Sequence, residues 1–329
     1  MPLQSPAFWN KPGSIAATAL LPVAALYQLG YRIRRQFTTP ATITPKLLCI
    51  GNLVAGGAGK TPVALAVGEY IKAQGIRACF LSKGYGAHIT QPTMVDCTHH
   101  NAAEVGDEPL LLAQVLPTII AKNRADGAKY AESCGFDLII LDDGFQNPTL
   151  KPDLSLIVAD AAYGFGNGFT LPSGPLREPV EYGLSRADAL VVLYRNHQQK
   201  CAIADYPIPT ITGDVQTSCP SDLANQKVVA FSGIARPEQF FEALVQQCGA
   251  YVIASHAFAD HHPFSATELQ QLRDEAKKHD AALVTTAKDA VRLPQTLRGE
   301  VLVAEAKINW HNADALAAIL APLLSPKET

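Results

Sequence analysis

A glycine-rich segment that ends in a lysine and a threonine is the part of this sequence best suited to chemistry. From position 54 onward it reads Val54, Ala55, Gly56, Gly57, Ala58, Gly59, Lys60 and Thr61. Glycines allow backbone N–H groups to converge on phosphate oxygens at the N-terminus of a helix. In such a loop the Lys60 ammonium would reach the β- and γ-phosphates, and the Thr61 hydroxyl would bind Mg²⁺. Residues 54–61 therefore predict a P-loop that binds ATP, although the strict pattern has glycine where Val54 stands.

The residues on either side of this segment predict the elements that hold it. Residues 46–50 form a short apolar run typical of a buried strand, and an apolar helix pattern runs from Pro62 to about residue 74. Strand, loop and helix in this order are the context that a P-loop needs. Pro62 is tolerated because the first turn of a helix has no internal N–H partner to lose. The alternative is a glycine turn that precedes a helix and binds no nucleotide.

Two adjacent carboxylates, Asp142 and Asp143, follow the apolar run of residues 138–141. A P-loop enzyme needs an acidic group at the end of a neighbouring strand to organise its metal ion. Because the pair comes about 80 residues after the P-loop, it predicts this role for Mg²⁺. The alternative is an ordinary strand end that leads into a turn.

Two further segments carry charged residues in loop-like surroundings. Asp107 and Glu108 precede an apolar helix at residues 110–116. They could serve catalysis, but acidic residues also suit the first turn of any helix. Arg177 lies in the Gly- and Pro-rich stretch 164–179, which predicts a long ordered loop. That loop could present Arg177 to a phosphate or could simply turn the chain, and the pattern leaves both open.

The residues Asp260, His261 and His262 follow an apolar stretch and precede a helix pattern that begins near Thr267. Transfer of a phosphoryl group to a hydroxyl needs a base near the acceptor, and histidine is the natural base near neutral pH. A carboxylate elsewhere in the chain could orient the imidazole. The alternative is an aspartate that caps a helix beside solvated histidines, since the spacing matches no standard zinc site.

Strand-like runs alternate with helical patterns along most of the chain, which predicts an α/β, P-loop NTPase-like doubly wound sheet. Residues 199–224 are polar, contain scattered prolines and lack periodicity, and so predict a linker. A second alternation follows and predicts a smaller α/β domain. The predicted divisions are an N-terminal membrane-associated helix with its basic flank (1–37), a P-loop core (38–198), the linker (199–224) and the C-terminal domain (225–329).

The N-terminal segment has no charged residue from Pro12 to Tyr31. Three arginines follow at once: Arg32, Arg34 and Arg35. The alanine content and Pro22 favour a helix that lies in the membrane interface with its apolar side down, rather than a helix that spans the bilayer. The arginines suit anionic headgroups of the cytoplasmic leaflet. Residues 12–35 are therefore predicted to bind a membrane surface, and a buried core helix is the alternative.

Composition excludes several other classes of protein. The net charge of −3 excludes a globally basic nucleic-acid-binding protein, so no nucleic-acid partner is predicted. The hydrophobic share of 48% is too high for a disordered or fibrous chain. The 7 cysteines are scattered singly with no C-x-x-C pair, which predicts a reducing cytoplasm and no zinc site.

The order and spacing of these segments resemble one family, the tetraacyldisaccharide 4′-kinases, which are the lipid A 4′-kinases of Gram-negative bacteria. The resemblance extends over nearly the whole chain and rests on the apolar N-terminus and on residues 51–53, 56–62, 82–86, 106–109, 142–146, 166–168, 174–178, 260–261 and 285–289. Val54 fits the resemblance, because the family's P-loop shares this departure from the strict pattern. Three positions depart from the family's usual residues, because Lys83 stands for an arginine, Asn147 for a histidine and Ala287 for a glutamate.

The resemblance implies transfer of the ATP γ-phosphoryl group to the 4′-hydroxyl of a tetraacylated glucosamine disaccharide 1-phosphate, the lipid A precursor. The enzyme would lie on the cytoplasmic face of the bacterial inner membrane. His261 would accept the proton of the sugar hydroxyl, or polarise that hydroxyl, while Asp107 holds its ring. The other implied roles are phosphate and Mg²⁺ binding by Lys60 and Thr61, metal binding by Glu108, Asp142 and Asp143, and a place near the phosphates or the acceptor for Arg177.

One rival function comes from another class of protein. A membrane-tethered P-loop ATPase switch also uses the pattern Gly-Gly-x-Gly-Lys-Thr. Such switches usually carry a further lysine early in the loop, where Val54 and Ala55 stand here. The kinase is therefore the favoured prediction, and the switch is its alternative.

Overall fold

The computed structural model describes residues 6–11, 13–84, 87, 89–195, 201–219 and 223–324. Within these ranges 12 strands form one sheet. In chain order they are β1 (Lys46–Gly51), β2 (Ala78–Ser82), β3 (Thr93–Met94), β4 (Thr118–Ile120), β5 (Leu138–Asp142), β6 (Leu154–Asp160), β7 (Ala189–Tyr194), β8 (Thr210–Ser218), β9 (Lys227–Ser232), β10 (Tyr251–Ala257), β11 (Ala282–Thr286) and β12 (Val301–Trp310).

Helices cover the sheet and form the N-terminus. A short 3₁₀ helix at Ala7–Asn10 comes first. The α-helices are α1 (Ile15–Ala19), α2 (Leu21–Phe37), α3 (Lys60–Ala73), α4 (Ala102–Val105), α5 (Asp107–Leu112), α6 (Arg124–Ser133), α7 (Val180–Leu184), α8 (Pro237–Gln246), α9 (Ala266–Lys278), α10 (Ala287–Ala290), α11 (Gln295–Arg298) and α12 (Ala313–Leu324).

The strand order across the sheet is β10-β9-β11-β12-β8-β7-β6-β1-β5-β2-β4-β3. Neighbouring strands are parallel except for the pairs β12–β8 and β3–β4. β1 lies between β5 and β6 and pairs in parallel with both. The antiparallel pair β12–β8 joins two groups of parallel strands that run in opposite directions. Thr286 at the end of β11 pairs with Ala304 of β12, and Ser218 at the end of β8 pairs with Glu305, so the carboxyl ends of the two groups face each other. Open α/β sheets bind their ligands at the carboxyl ends of their strands. The predicted α/β, P-loop NTPase-like doubly wound architecture is confirmed.

The two faces of the central strands belong to two different hydrophobic cores. Leu48 and Ile50 of β1 pack in the core that includes α3 and α12. Leu47 and Cys49 face the opposite side, in the core that includes α6. Side chains alternate between faces along a strand, so β1 has to be apolar on both sides to be covered by both layers. This explains why the sequence of β1 reads as a continuous apolar run.

The segment expected to be a linker, residues 199–224, contains the strand β8. β8 pairs in parallel with β7 and antiparallel with β12, so the sheet continues from the P-loop core into the C-terminal strands. Its sequence looks irregular because threonines, Asp214 and Gln216 supply many of its residues, yet Ile211 and Val215 are buried in the core. The boundaries of the domains stay a prediction.

The N-terminal segment forms two helices that meet at Leu20. Pro22 lies in the first turn of α2, where proline is tolerated, and so the proline starts a helix instead of interrupting one. Eight large apolar side chains of this segment are exposed: Ile15, Leu21, Val23, Leu26, Tyr27, Leu29, Ile33 and Phe37. This exposure argues against the buried core helix. Among the helices of the described ranges, none has both the length and the apolar character needed to cross a membrane.

Candidate active site

The glycine-rich loop connects the end of β1 to the start of α3, as the sequence predicts. Gly56 and Gly59 have φ angles of 114° and 86°, which side chains other than glycine rarely adopt. A Cβ atom on Gly59 would also lie 2.5 Å from Leu193 Cδ1. The loop therefore depends on glycine at both positions. It brings Lys60 and Thr61 into the first turn of α3, at the positive end of the helix dipole.

The first half of the loop is held by the Gly- and Pro-rich stretch that leads to Arg177. Val54 forms an isolated antiparallel bridge with Leu176. The Ala55 N–H donates to the Pro175 carbonyl at 2.7 Å, and the Arg177 N–H donates to the Leu53 carbonyl at 2.7 Å. Val54 thus has a strand-like role, which accounts for the absence of glycine there. Because the Ala55 N–H is already paired, the exposed backbone of residues 56 and 57 offers the more open approach to phosphate.

Asp143 lies between two cations. Its Oδ1 is 3.6 Å from Lys60 Nζ, and Arg177 donates to both carboxylate oxygens at 2.8 and 3.3 Å. Burial acts to raise the pKa of the Asp143 carboxyl, but Lys60 and Arg177 outweigh it and hold the pKa below its usual value. Asp143 is therefore an anion that orients Lys60. Arg177, predicted to lie near phosphate, contacts this carboxylate.

Asp142 has a different environment from its neighbour. It is only 3% exposed, and the hydroxyl of Ser82 donates to its Oδ2 at 3.4 Å. Burial, reinforced by the negative charges of Glu108 and Asp143, raises the pKa of Asp142 to about 7. Burial is therefore the main obstacle to an ionised Asp142 carboxylate. A divalent cation bound beside it would favour the ionised form.

The residues predicted to bind Mg²⁺ fit such an ion by their chemistry. Within the described ranges, no group of three or more His, Cys, Asp or Glu side chains forms a ready-made metal cluster. Mg²⁺ in nucleotide sites keeps several waters and uses one or two carboxylates together with phosphate oxygens. Thr61, Asp142 and Glu108 supply a hydroxyl and two carboxylates of that kind. Asp143 is engaged by Lys60 and Arg177.

Asp107 and His261 form a hydrogen-bonded pair. Asp107 begins α5 and is 6% exposed, and its Oδ2 lies 2.8 Å from His261 Nδ1. Burial acts to raise the pKa of Asp107, but the hydrogen bond from His261 and the charges of Lys288 and Arg292 lower it below its usual value. An ionised carboxylate only accepts hydrogen bonds, so the proton of the neutral imidazole lies on Nδ1. Nε2 is left as the basic atom.

The pKa of His261 is raised above its usual value, chiefly by the hydrogen bond to Asp107. Burial and the positive charge of Lys288 oppose this rise. His262, the neighbouring residue in the sequence motif, pairs instead with Glu268 at 3.0 Å. The motif therefore contributes one histidine to the site and no metal cluster.

Lys288 is a site residue to which the sequence analysis assigned no role. Its Nζ lies 3.4 Å from His261 Nε2, 3.6 Å from Glu108 Oε1 and 3.8 Å from Asp260 Oδ1. It follows the carboxyl end of the parallel strand β11, and this position after an apolar run is the signal that could have identified it. Lys288 links the predicted base to the predicted metal carboxylate.

Arg292 and Asp289 support the loop that carries His261. Asp289 is fully buried and accepts from the Ser232 hydroxyl at 2.8 Å and from the Gly233 N–H at 2.9 Å. Arg292 pairs with Asp289 and donates to the Gly233 carbonyl at 3.0 Å. His261 has a φ of 60° and its N–H donates to the same carbonyl at 3.0 Å. These contacts fix a backbone conformation that a non-glycine residue adopts only when its surroundings impose it.

The three departures from the family pattern fall at different places. Lys83 is exposed, and Tyr85 and Gly86 of the same motif lie outside the described residues. Asn147 accepts from the Thr149 N–H at 3.0 Å, so this position is part of a turn. Ala287 is the first residue of α10 and immediately precedes Lys288.

A cavity of about 560 Å³ lies between α2 and the loop that leads to Arg177. Leu21, Ala24 and Gln28 line it on the side of α2, and Phe165 and Thr170 line it from the core. The amide of Gln28, one of the lining residues, donates to the Arg177 carbonyl at 3.1 Å. It is open and mixed in polarity, as a site for an amphipathic molecule would be.

A histidine held by a buried carboxylate has no use in a simple nucleotide switch. It is what a kinase needs in order to take a proton from an acceptor hydroxyl. The fold and the site therefore define a P-loop kinase.

Comparison with known proteins identifies the family. The sequence model of the family described as Tetraacyldisaccharide-1-P 4′-kinase matches residues 16–325, and the chain belongs to this family. The tetraacyldisaccharide 4′-kinase of Rhodospirillum centenum is 45% identical, over 99% of this chain and 98% of its own length. The enzyme of the same name from Paramagnetospirillum magneticum is 44% identical, over 94% and 95%. The resemblance seen in the sequence is confirmed.

A solved structure agrees with this assignment. The structure of LpxK from Aquifex aeolicus, described as an "apo" form in complex with ATP, superposes with a TM-score of 0.77 and 26% sequence identity. The match covers 94% of this chain and 100% of the other. It extends across both the P-loop core and the C-terminal strands that carry His261 and Lys288.

Proposed function

We propose that this protein transfers the γ-phosphoryl group of ATP to the 4′-hydroxyl of a tetraacylated glucosamine disaccharide 1-phosphate, a lipid A precursor. The observation that carries the proposal is the Asp107–His261 pair, held at 2.8 Å in a chain that also has a P-loop. Membership of the tetraacyldisaccharide 4′-kinase family supports the same acceptor. The product is the 4′-phosphorylated disaccharide together with ADP.

Phosphoryl transfer needs positioning and neutralisation of charge more than covalent help. Lys60 and the backbone N–H groups of the P-loop hold the β- and γ-phosphates, while Asp143 and Arg177 fix the direction of Lys60. His261 Nε2 takes the proton of the 4′-hydroxyl as the oxygen attacks. Asp107 holds Nδ1–H and stabilises the imidazolium that forms. Mg²⁺, bound through Thr61, Asp142 and Glu108, would neutralise phosphate charge.

Lys288 belongs to the same reaction. Its ammonium lies 3.4 Å from His261 Nε2 and 3.6 Å from Glu108 Oε1. It therefore stands between the base that contacts the acceptor and a carboxylate assigned to the metal. There its charge stabilises negative charge on the transferred group, and it also restrains the rise of the His261 pKa.

The acceptor carries acyl chains that stay in a bilayer, and residues 12–35 would bring the enzyme to that surface. The exposed apolar side chains of α2, among them Leu26 and Leu29, would enter the interface on the cytoplasmic face of the inner membrane. Arg32 and Arg34 are exposed and would face anionic headgroups, whereas Arg35 lies on the core side of α2 beside Tyr31. The cavity between α2 and the core is lined by Gln28, which donates to the Arg177 carbonyl, and it would offer part of the acceptor a place next to this helix.

The ATPase switch is the weaker candidate. No feature of the described residues favours it over the kinase, and the Asp107–His261 pair has no role in it. The expectation that no nucleic acid is bound stays a prediction.

The experiment that tests the kinase is transfer of labelled γ-phosphate from MgATP to tetraacyldisaccharide 1-phosphate in mixed micelles, with Lys60→Ala as the control. Label on the lipid that depends on Lys60 supports the proposal. Hydrolysis of ATP with no labelled lipid would refute it and favour the switch. The position of the label is checked by mass spectrometry of the product.

A further inference from the structure

The side of α2 that meets the core is partly polar. The residues of α2 that are not exposed are Ala24, Gln28, Tyr31 and Arg35. Their spacing places them on one face of the helix. The Gln28 amide donates to the Arg177 carbonyl at 3.1 Å, and the Tyr31 hydroxyl donates to Glu178 Oε2 at 3.5 Å. Two consecutive loop residues, Arg177 and Glu178, thus accept hydrogen bonds from side chains of α2.

Glu178 connects Tyr31 to the beginning of the P-loop. It is fully buried and pairs with Arg186. The Gln146 amide donates to Glu178 Oε1 at 3.0 Å and to the Asn52 carbonyl at 2.9 Å. Asn52 directly follows β1 and opens the loop that binds phosphate. A displacement of Glu178 would therefore shift the Gln146 amide and, through it, the backbone at Asn52.

Arg177 connects Gln28 to the catalytic lysine. Its carbonyl accepts from Gln28, and its N–H donates to the Leu53 carbonyl at 2.7 Å. Its guanidinium binds Asp143, which lies 3.6 Å from Lys60 Nζ. A single residue thus touches the N-terminal helix, the P-loop backbone and the carboxylate that orients the lysine.

We propose that Gln28 and Tyr31 are positioning residues for phosphoryl transfer. They hold residues 177 and 178 in the arrangement that aligns the P-loop and Lys60, so that MgATP is bound in its reactive geometry only while α2 is seated on the core. The inference rests on the proposed function, because α2 is then the element that meets the bilayer containing the acceptor. Contact with the membrane and readiness of the nucleotide site are linked through this hydrogen-bonded relay.

The weak packing of α2 on the core explains why this relay would respond to contact with a membrane. Only Ala24 of its 17 residues is fully buried, so few apolar contacts hold the helix to the core. Its outer face presents Leu26 and Leu29, which are 69% and 54% exposed. An element with little buried surface moves more readily than the sheet beneath it. Burial of the outer face in a membrane would therefore change how firmly the inner face packs on the core.

Two conservative substitutions test the relay in the full chain. Gln28→Leu removes the amide donor, and Tyr31→Phe removes only a hydroxyl. We expect the double variant to bind MgATP about tenfold more weakly by calorimetry, because both hydrogen bonds to the loop are lost. Its binding to vesicles of phosphatidylethanolamine and phosphatidylglycerol should match the wild type. If the double variant has no cooperative melting transition, Tyr31→Phe alone carries the test.

The matched control alters the opposite face of the same helix. Leu26→Glu with Leu29→Glu should weaken binding to these vesicles and leave the affinity for MgATP unchanged. A merely structural role of α2 would make both pairs of substitutions act alike. The relay requires that substitutions on the inner face weaken MgATP binding alone and that those on the outer face weaken vesicle binding alone.

Hydrogen exchange gives a second readout. The amides of Ala55 and Arg177 donate across the loop, and peptides that contain them should exchange faster in the double variant than in the wild type. Coupling between two sites is reciprocal. MgATP should therefore slow exchange across α2 in the wild type and lose this effect in the double variant.

Equal MgATP affinity in the double variant and the wild type would overturn the relay. So would MgATP that leaves exchange across α2 of the wild type unchanged. These measurements need no acceptor, so they stand apart from the proposed function. A wild-type protein that shows the coupling but gives no labelled lipid would refute the function and leave the relay in place.

Discussion

His261 Nδ1 and Asp107 Oδ2 are 2.8 Å apart although 154 positions separate the two residues in the chain. Asp107 begins a helix of the P-loop core, whereas His261 follows a strand at the far edge of the sheet. Two cations that follow β11 lie against the pair, Lys288 Nζ at 3.4 Å from His261 Nε2 and Arg292 Nε at 3.7 Å from Asp107 Oδ2. The base is thus assembled from two parts of the fold.

Removal of either member of this pair should slow turnover with little effect on nucleotide binding. For His261→Gln and Asp107→Asn we expect kcat to fall by about 10²- to 10⁴-fold, because a positioned base contributes on this scale. The dissociation constant of MgATP should stay within about twofold, since neither side chain belongs to the P-loop. Single-turnover phosphorylation of the lipid and calorimetry with MgATP measure the two effects. A comparable loss of ATP affinity would contradict the assignment to proton transfer.

The pH dependence of kcat should respond in opposite directions to two substitutions. His261 must be neutral to accept a proton, so activity falls as pH drops below its pKa, which is raised. Asp107→Asn removes the main cause of that rise, and the residual activity should persist to lower pH. Lys288→Met removes a positive charge that lowers the pKa of His261, and the acid limb should move to higher pH. Shifts of the same sign in both variants would contradict His261 as the titrating base.

Asp142→Asn should raise the melting temperature of the protein and also raise the concentration of Mg²⁺ that phosphoryl transfer requires. Burial and two neighbouring carboxylates raise the pKa of Asp142 to about 7. A raised carboxyl pKa gives stability at low pH that is lost as the pH rises through the folded-state value. At pH 8 without metal or nucleotide, the variant should therefore melt several degrees above the wild type. Its requirement for Mg²⁺ in phosphoryl transfer should rise roughly tenfold or more.

The control is the same comparison of melting temperatures between the wild type and Asp142→Asn, made at pH 5. There the wild-type carboxyl is largely protonated, so the difference in melting temperature should shrink. A constant difference across pH would show that the substitution acts through packing and not through charge. An unchanged Mg²⁺ requirement would remove Asp142 from the metal site.

The outer face of α2 should govern membrane binding. Each exposed leucine that enters the interface contributes up to about 1.5–3 kcal/mol, so Leu26→Glu with Leu29→Glu should lower vesicle affinity at least about tenfold. Transfer to acceptor in bilayers should fall with it, while ATP binding stays unchanged. Sedimentation with anionic vesicles measures this effect, and a comparison of low with high salt measures the contribution of Arg32 and Arg34. Equal vesicle binding by variant and wild type would refute the docking role.

The P-loop and the two carboxylates at the end of β5 could be predicted because their chemistry is local. Glycines, Lys60 and Thr61 are adjacent in sequence, and the apolar run before Asp142 shows where its strand ends. β8 was missed as a strand because threonines and Asp214 make it look like a linker. Only its pairing with β7 and β12 explains why it is extended.

The role of Lys288 could not be predicted from its neighbours in sequence. It depends on the insertion of β11 between β9 and β12, which places α10 against α5. The same holds for Gln28 and Tyr31, which look like polar interruptions of an apolar helix until Arg177 and Glu178 are found beneath them. Contacts of this kind are set by the order of strands, and that order has no local signature.

The place of β12 in the sheet has a consequence for protein synthesis. β12 is the strand that joins β11, β9 and β10 to β8 and so to the P-loop core, and it begins only at Val301. A growing polypeptide on the ribosome thus completes its phosphate loop long before it can seat His261 beside Asp107. Translation products that stop before this strand would lack a docked base, and they would also lack α12, which packs on the strand that leads into the P-loop, so they could not phosphorylate the lipid.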